Sequence, residues 1–336
     1  KTIHSLTRYG KSDNAYATTG ASFNANAGRP AIDNGHTGWQ DVEYFAHQTN
    51  LRWDTQIAGK KNEMILGFEY TNHKVVSGNY TGTSTGTPNC RRAAGAGAND
   101  GYCITTPTGV PLDNLNTLAG RSYSRNDKSR DWQVKSLGLT VMDTVDLTDQ
   151  WTVFGGLRAD HTKLSLLTQT PATGVQTGDY GYTDTLFNGH LGLSYKINPM
   201  GMVYASYATA QDINGGESDT GTSSGYGGLV VYNGNAAGAK PELSQNIEIG
   251  TKWNILDDKL LLTAAAFQTT KKDVMEGANY DAVGTFNTGK NRVRGVELGL
   301  VGNVTEKFTM QAGVAFMNSK ALNSATASNV GNPLAN

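Results

Sequence analysis

Hydrophobic and polar residues alternate along most of the chain with a period of two, which is the signature of β-strands that have one apolar face. Residues 190–211, HLGLSYKINPMGMVYASYATAQ, show the pattern twice, on either side of a tight NPMG turn. The same alternation recurs in four other clear segments: 63–73, 151–160, 246–254 and 307–317. Weaker strand patterns fill much of the remaining chain. We predict about eleven strands and no helix.

The connections between these strands alternate strictly in length. Short connections are expected near 58–61, 147–150, 198–201, 256–259 and 302–306. Long connections are expected near 11–40, 77–130, 162–184, 211–243 and 271–291. A meander with tight turns at one end and elaborated loops at the other is typical of bacterial outer-membrane barrels, and a soluble sandwich does not usually separate its loops in this way.

The pattern therefore predicts an all-β fold, an antiparallel up-and-down transmembrane β-barrel. About ten residues per strand suffice for a tilted strand to cross a bilayer, and backbone groups in lipid must all be paired. The low mean hydropathy, −0.43, is compatible with this because only alternate residues face lipid. The alternative is a large soluble barrel or sandwich, which would need a second sheet over the apolar face.

The residues that alternate with the apolar positions of the strands are small and polar, and we expect them to face a wide lumen. They include a few charged residues: Arg158, Asp160, Glu248 and Lys252. Close pairs of opposite charge can resemble acid/base catalysts. We interpret these residues as lumenal salt bridges or contacts with a plug.

Charge and cysteine content exclude some function classes and indicate a compartment. The formal net charge of −1 gives no indication of a nucleic-acid partner. Cys90 and Cys103 bracket a Gly/Ala-rich loop without nearby ligands for a metal site, so we predict a local disulfide. A disulfide in turn indicates an oxidising compartment such as the periplasm or the cell surface.

Four segments resemble the TonB-dependent receptor family. KPELSQNIEIGTKW (240–253) is similar to the family segment K-P-E-x-S-x-x-x-E-x-G-x-K, and NTGKNRVRGVELGL (287–300) to its N-x-G…R-G-V-E strand. MVYASYATAQ (202–211) and VFGGLRAD (153–160) resemble two further barrel strands. The siderophore receptors match best, and the cysteine-bracketed loop with the following RSYSR (121–125) resembles receptors for ferric catecholates.

This resemblance implies a barrel of about 22 strands with a plug domain in its lumen. We expect residues 1–336 to be the middle portion of such a barrel domain, with the plug and the final strands lying outside this chain. Implied partners are a ferric siderophore, the TonB complex acting through the plug, and outer-membrane lipid or lipopolysaccharide. A monomer in the bacterial outer membrane is expected.

The loop between Ser77 and Arg130 is the candidate ligand site. It holds six basic and three acidic residues, and Arg and Tyr side chains suit a bulky aromatic anion. The candidate binding residues are Arg91, Arg92, Tyr102, Arg121, Tyr123, Arg125, Tyr180, Tyr182, Tyr226 and Tyr232. Each of them is also compatible with an ordinary loop surface or with contacts to anionic lipopolysaccharide.

No recognisable catalytic or metal-binding motif accompanies these residues. The histidines have no ligand spacing, and iron would be chelated by the siderophore, so we expect neither a cofactor nor a protein metal site. The predicted function is TonB-dependent import of a ferric siderophore, and the resemblance implies the catecholate class. The alternatives are a passive porin or specific channel, an outer-membrane enzyme, and a receptor for a hydroxamate, cobalamin or a sugar.

Overall fold

The computed structural model describes residues 1–32, 37–91, 100–213, 240–276, 287–305 and 307–334. The strands are β1 (Thr2–Ala17), β2 (Ala21–Asn24), β3 (Arg29–Ile32), β4 (Thr37–Ile57), β5 (Lys60–Ser84), β6 (Cys90–Arg91), β7 (Asp100–Cys103), β8 (Arg121–Asp146), β9 (Trp151–Gln169), β10 (Gln176–Asn198), β11 (Gly201–Asp212), β12 (Glu242–Ile255), β13 (Leu260–Met275), β14 (Asn287–Thr305) and β15 (Phe308–Asn323). A one-turn helix, α1, spans Leu115–Leu118.

Eleven of the strands form one antiparallel sheet in the order β1-β4-β5-β8-β9-β10-β11-β12-β13-β14-β15. Each strand pairs with the next long strand along the chain, as the alternating connections predicted. Tight turns lie at one end of the sheet, which we call the turn end, and longer loops lie at the other, the loop end. Within the described residues, no helix is long and apolar enough to cross a membrane.

The strands are longer than the sequence pattern suggested, with 26 residues in β8 and 23 in β10. The connection expected at 162–184 is instead formed by residues 170–175, because β9 and β10 continue their pairing to Gln169 and Gln176. The prediction of a long loop there was wrong. Leu164 and Leu166 of this extension lie buried on the inner face, whereas most apolar residues of 151–160 share the outer parity. The apolar positions therefore change face, and the alternation that marks the lipid-crossing part does not continue.

One face of the sheet, the outer face, carries most of the exposed large hydrophobic side chains of these strands. Leu157, Leu191, Ile249 and Phe316 are each more than 60% exposed. Their parity is the one that the sequence assigned to lipid. At the turn end of this face, the rings of Trp151 and Tyr195 lie 4.6 Å apart, in the position expected for an interfacial aromatic pair.

The opposite, inner face differs from the thin polar surface that the sequence suggested. Nearer the loop end it holds a hydrophobic cluster of Val75, Trp132, Leu164 and Leu166. The register aligns four strands here, with Val75 opposite Trp132, Trp132 opposite Leu166, and Leu166 opposite Tyr180. Large side chains at the same level of adjacent strands therefore pack together. This alignment depends on the register between strands, so no periodicity within one strand predicts it.

Glycines on the inner face make room for large side chains on neighbouring strands. A Cβ atom on Gly192 would lie 2.1 Å from Cζ of Phe154, and one on Gly250 would lie 2.6 Å from Cζ of Tyr204. In each case the aromatic ring covers the glycine across the strand pair. This close approach explains why glycine occupies these inner-face positions.

We expect replacement of Trp132 by alanine to destabilise the full-length protein by about 3–5 kcal/mol, because a large buried ring is removed and a cavity remains. Trp132 is 4% exposed, and its ring packs edge-on against His73 with 5.1 Å between centroids. The measurement is the denaturant midpoint of the detergent-solubilised barrel. Phe23→Ala is the control, since Phe23 is 69% exposed. Equal midpoints for the two variants would contradict the packing role.

Candidate functional site

Two loops at the loop end join to form a small second sheet. Its strand order is β2-β3-β7-β6, so a hairpin from the first long connection pairs with strands from the second. Ala31 is opposite Cys103 and Ile32 is opposite Tyr102. The sequence had treated these connections as separate loops. Their joining gives the loop end a defined surface.

The predicted disulfide between Cys90 and Cys103 is confirmed, with a Cα–Cα distance of 5.8 Å. Side-chain hydrogen bonds add to it. The Cys103 backbone N–H donates to Asn89 Oδ1 at 2.6 Å, and Asn24 Nδ2 donates to the Arg91 carbonyl at 2.9 Å. Arg29 donates to the Thr105 carbonyl at 2.8 Å. Both loops are therefore tied to each other as well as paired through the backbone.

A cavity of about 400 Å³ lies between this small sheet and the beginning of β8. Ile32, Ile104 and Leu115 contribute apolar lining, and Arg121 and Tyr123 contribute a guanidinium and a phenol. The combination suits a ligand that has both aromatic surface and negative charge. We call this cavity the loop-end pocket.

Arg125, which follows in the same strand, is engaged by the protein itself. Its Nη2 lies 2.7 Å from Asp41 Oδ2, and its Cζ lies 3.7 Å from the centroid of the Trp39 ring. These contacts join β8 to β4 beside the loop-end pocket. They assign Arg125 a structural contact and leave Arg121 and Tyr123 as the residues of RSYSR that line the pocket.

The other predicted ligand residues are more dispersed. Arg91 is exposed in β6, whereas Tyr102 donates through its hydroxyl to the Gly86 carbonyl at 3.3 Å. Tyr180 and Tyr182 pack against the inner hydrophobic cluster, and the Tyr182 hydroxyl donates to Asp184 at 2.9 Å. Arg92, Tyr226 and Tyr232 lie outside the described residues.

Arg158 and Asp160 form an ion-pair network on the inner face, together with Glu69 of a more distant strand. Arg158 Nη2 lies 2.7 Å from Asp160 Oδ1 and 3.0 Å from Glu69 Oε1. Gly138 makes this reach possible, because a Cβ there would lie 2.6 Å from Arg158 Nη2. The arrangement crosses β8 and connects β9 to β5. It is the salt bridge that we had expected, with a third member that the local sequence did not indicate.

Glu248 and Lys252 are connected through an aromatic ring. The Tyr204 hydroxyl donates to Glu248 Oε1 at 2.6 Å, and Lys252 Nζ lies 5.4 Å from the centroid of the same ring. Tyr204 lies across Gly250, which is midway between the two charged residues in sequence. Among the described residues, Glu248 and Lys252 form no direct salt bridge, unlike the salt bridge that we had expected. Instead, the contacts of both with Tyr204 link β11 to β12.

Hydrogen bonds to Glu276, which directly follows β13, form a further connection at the loop end. Its carboxylate accepts hydrogen bonds from Thr288 Oγ1 at 2.5 Å, Ser324 Oγ at 2.6 Å and the Ala325 backbone N–H at 2.7 Å. Burial raises the pKa of Glu276, but these hydrogen bonds outweigh burial and hold the pKa below its usual range. The ionised carboxylate therefore connects the ends of three strands.

Sequence reasoning missed the apolar half of the loop-end pocket. Ile32 and Ile104 are isolated hydrophobic residues in polar connections, without a periodic signal. They meet Arg121 and Tyr123 only because the two loops pair into one sheet. Among the described residues, no group of three or more His, Cys, Asp or Glu side chains could hold a metal ion.

Comparison with protein families gives one match that spans nearly the whole chain. The model for "TonB dependent receptor-like, beta-barrel" matches residues 2–336. A curated Bordetella pertussis protein named "Probable TonB-dependent receptor BfrD" is 33% identical over 84% of this chain and 36% of its own length. The catecholate siderophore receptor Fiu of Escherichia coli K12 is 27% identical over 93% of this chain and 41% of its own length.

Solved structures show the same fold. The closed form of the ferric-catecholate import receptor Fiu from E. coli superposes with a TM-score of 0.74 at 23% identity, over 95% of this chain and 45% of that one. The siderophore receptor PiuA from Acinetobacter baumannii gives 0.74 at 24% identity, over 98% and 46%. The chain therefore spans less than half the length of these relatives.

Replacing both Cys90 and Cys103 by alanine should make the connection between β5 and β8 more mobile and leave the eleven-stranded sheet intact. In the entropic model, a closed loop of this length contributes about 3 kcal/mol of constraint. We expect faster amide hydrogen exchange in residues 100–121 of the double variant. Reductant should reproduce the effect in the parent protein and add nothing in the variant. Unchanged exchange in both would show that hydrogen bonds alone hold the loop.

Gly138→Ala should displace the Arg158 guanidinium and destabilise the sheet by about 1–3 kcal/mol, because the added methyl group overlaps both Arg158 and Asp160. Gly181→Ala is the matched control, since its Cβ would meet only the Leu164 carbonyl oxygen, at 3.9 Å. The denaturant midpoints of the two variants are compared. A Gly181 variant as unstable as the Gly138 variant would contradict the steric explanation.

Proposed function

Since the chain belongs to the TonB-dependent receptor-like β-barrel family, we propose that the full-length protein imports a ferric siderophore across the bacterial outer membrane. Members of this family are outer-membrane β-barrels of Gram-negative bacteria, and the relatives are transport receptors and not enzymes. The proposal includes the energy source. The TonB complex would act on a plug domain of the full-length protein, and the 22-stranded closed barrel remains part of this expectation.

The siderophore class is supported by the relatives. Fiu is named "Catecholate siderophore receptor", and PiuA is named "Probable TonB-dependent siderophore receptor". Both match more than nine-tenths of this chain. Iron in such a cargo is chelated by the siderophore, so the protein needs to recognise an organic complex and supplies no metal ligands.

The preference for a catecholate rests on the chemistry of the loop-end pocket. A ferric tris-catecholate is an anion with flat aromatic faces. Arg121 offers charge and a planar guanidinium, Tyr123 offers an amphipathic ring, and Ile32 and Ile104 offer apolar contact. Tyr123 is 41% exposed, so its ring is accessible to a ligand. The convergence of these groups in one cavity is the observation that carries the proposal.

The two loops that form the loop-end pocket are restrained, and this restraint favours ligand binding in the pocket. The disulfide and the shared small sheet restrain both sides of the pocket before a ligand arrives. Ligand binding then orders fewer groups, which lowers the entropic cost of association. We propose that Arg91 and Tyr102, which lie on the same small sheet, belong to the surrounding surface and contribute less than Arg121 and Tyr123.

The test is a titration of the full-length receptor with a ferric tris-catecholate and, separately, with a ferric hydroxamate, followed by tryptophan fluorescence. We expect the catecholate to bind more tightly. Arg121→Gln should weaken its binding roughly tenfold or more, because a charge-assisted contact is lost. Lys61→Gln, at the turn end, is the charge-matched control and should bind as the parent does.

Tighter binding of the hydroxamate than of the catecholate would agree with a siderophore receptor but would contradict the catecholate assignment. An Arg121 variant with unchanged affinity would remove the loop-end pocket from the binding site. If neither complex bound at micromolar concentration, siderophore import itself would be contradicted, and channel conductance would be measured next.

A further inference from the structure

Two sequence segments that the proposed function does not use meet at the loop end of β12, β13 and β14. The segment KPE brings Lys240 and Glu242 to the beginning of β12, and the segment NTG brings Asn287 and Gly289 to the beginning of β14. The end of β13 lies between them and departs from regular pairing. The convergence indicates that both segments act on one feature of the sheet.

That feature is a compensated pair of bulges in the ladder between β13 and β14. Three successive pairs define it: Lys271 with Asn291, Val274 with Gly289, and Met275 with Asn287. Three steps along β13 match two along β14, and the next single step along β13 again matches two. The register after the second bulge is therefore the register before the first. Only residues 272–274 and 288–290 are displaced from a regular ladder.

The bulge in β13 strains the backbone. Asp273 has a φ of 54°, in the left-handed region that favours glycine. Aspartate tolerates this region better than most residues, but the conformation still costs free energy relative to a strand. A regular ladder would place Asp273 opposite Gly289 and Val274 opposite Thr288, and it would remove that cost. The bulged arrangement must therefore be held by contacts that the regular ladder lacks.

Glu242 supplies one of these contacts from the neighbouring strand. Its Oε1 accepts a hydrogen bond from the Met275 backbone N–H at 2.7 Å. The carboxylate is 7% exposed and forms an ion pair with Lys271, which lies just before the bulge. A buried, charged acceptor thus takes the place of a ladder partner for Met275.

Asn287 supplies the second contact. Its Nδ2 donates to the Asp273 carbonyl at 2.6 Å, so the strained residue is held directly. The same carboxamide is fixed by the backbone of Lys240, whose N–H donates to Oδ1 at 2.6 Å and whose carbonyl accepts from Nδ2 at 2.9 Å. One side chain therefore connects the beginning of β12, the bulge of β13 and the beginning of β14.

The compensating bulge in β14 is held by Glu276. The Thr288 hydroxyl donates to Glu276 Oε2 at 2.5 Å, and the Thr288 carbonyl accepts from Asn323 Nδ2 at 3.0 Å. Gly289 is required beside it, because a Cβ there would lie 2.9 Å from Cβ of Val274. Since Glu276 also accepts hydrogen bonds from the segment after β15, the bulges are coupled to the end of that strand.

We propose that Glu242, Asn287 and Glu276 form a latch that holds the ends of β13 and β14 in the bulged register, and that release of the latch restores the regular ladder. Release moves Val274 from Gly289 to Thr288 and exchanges the face that its side chain occupies. Packed strands adopt discrete registers, so the change is between two states. The inference concerns a conformational device in the barrel wall, and it does not depend on the proposed cargo.

The experiment follows the methyl group of Met275 by NMR in the full-length receptor in detergent, labelled at its methionine methyl groups. Met275→Leu assigns the signal by its disappearance. We expect Glu242→Ala to move the Met275 signal toward a second position, because the acceptor for the Met275 N–H is lost. The six other methionines report whether the barrel is folded.

Two substitutions of Asp273 act on the same equilibrium through the backbone. Asp273→Val leaves Glu242 in place but disfavours the left-handed conformation, and should shift the population toward the regular ladder about tenfold or more. Asp273→Gly relieves the strain. Added to Glu242→Ala, it should return the population toward the bulged state by about two- to fivefold.

A two-state latch requires the Met275 signals of all these variants to fall on one line between two common positions. Signals of Glu242→Ala and Asp273→Val that move in different directions would overturn the proposal, as would a failure of Asp273→Gly to reverse the shift. Asp258→Val is the matched control, since Asp258 has a φ of 63° in a tight turn at the turn end. It should leave the Met275 signal unchanged, and an equal shift in this control would also overturn the proposal.

Discussion

The antiparallel ladder of backbone hydrogen bonds is the constraint on which the rest of the structure depends. A strand that crosses lipid has no water to satisfy its N–H and C=O groups, so each must pair with a neighbouring strand. Pairing fixes the register, and register fixes the face of every side chain, since a shift of one residue would exchange the two faces. The eleven-stranded sheet keeps an unbroken register through most of β8 and β9. The apolar outer face and the charged groups of the inner face both follow from that continuity.

Once register is fixed, small residues determine what the large ones can reach. Gly138 lets Arg158 cross a strand to Glu69, Gly250 lies beneath Tyr204, and Ala266 leaves a groove between bulky neighbours. Small residues thus have different effects on the two faces of the sheet. On the inner face it joins strands through polar contacts. On the outer face it shapes the surface presented to the membrane.

The loop end adds a second level of organisation to the ladder. Strands continue beyond the apolar belt, and two connections then pair with each other and are tied by the Cys90–Cys103 disulfide. A pocket with Arg121 and Tyr123 forms only because this small sheet stands beside the beginning of β8. The loop-end pocket and the apolar outer face are therefore different surfaces, which can be altered independently.

The sequence by itself determined the strand class, the meander order, the parity of the faces, the disulfide and the family, because each of these leaves a local signal: alternation, turn residues, cysteine spacing or a short motif. The tertiary structure decided which distant residues meet. The pairing of Ile32 with Tyr102, the reach of Arg158 to Glu69, the inner cluster around Trp132, and the opposition of Lys135 to Lys163 depend on register between strands far apart in the chain. The extension of β9 and β10 to Gln169 and Gln176 also escaped prediction, because its apolar residues, such as Leu164 and Leu166, lie on the inner face and so do not continue the outer-face alternation, while the backbone still pairs.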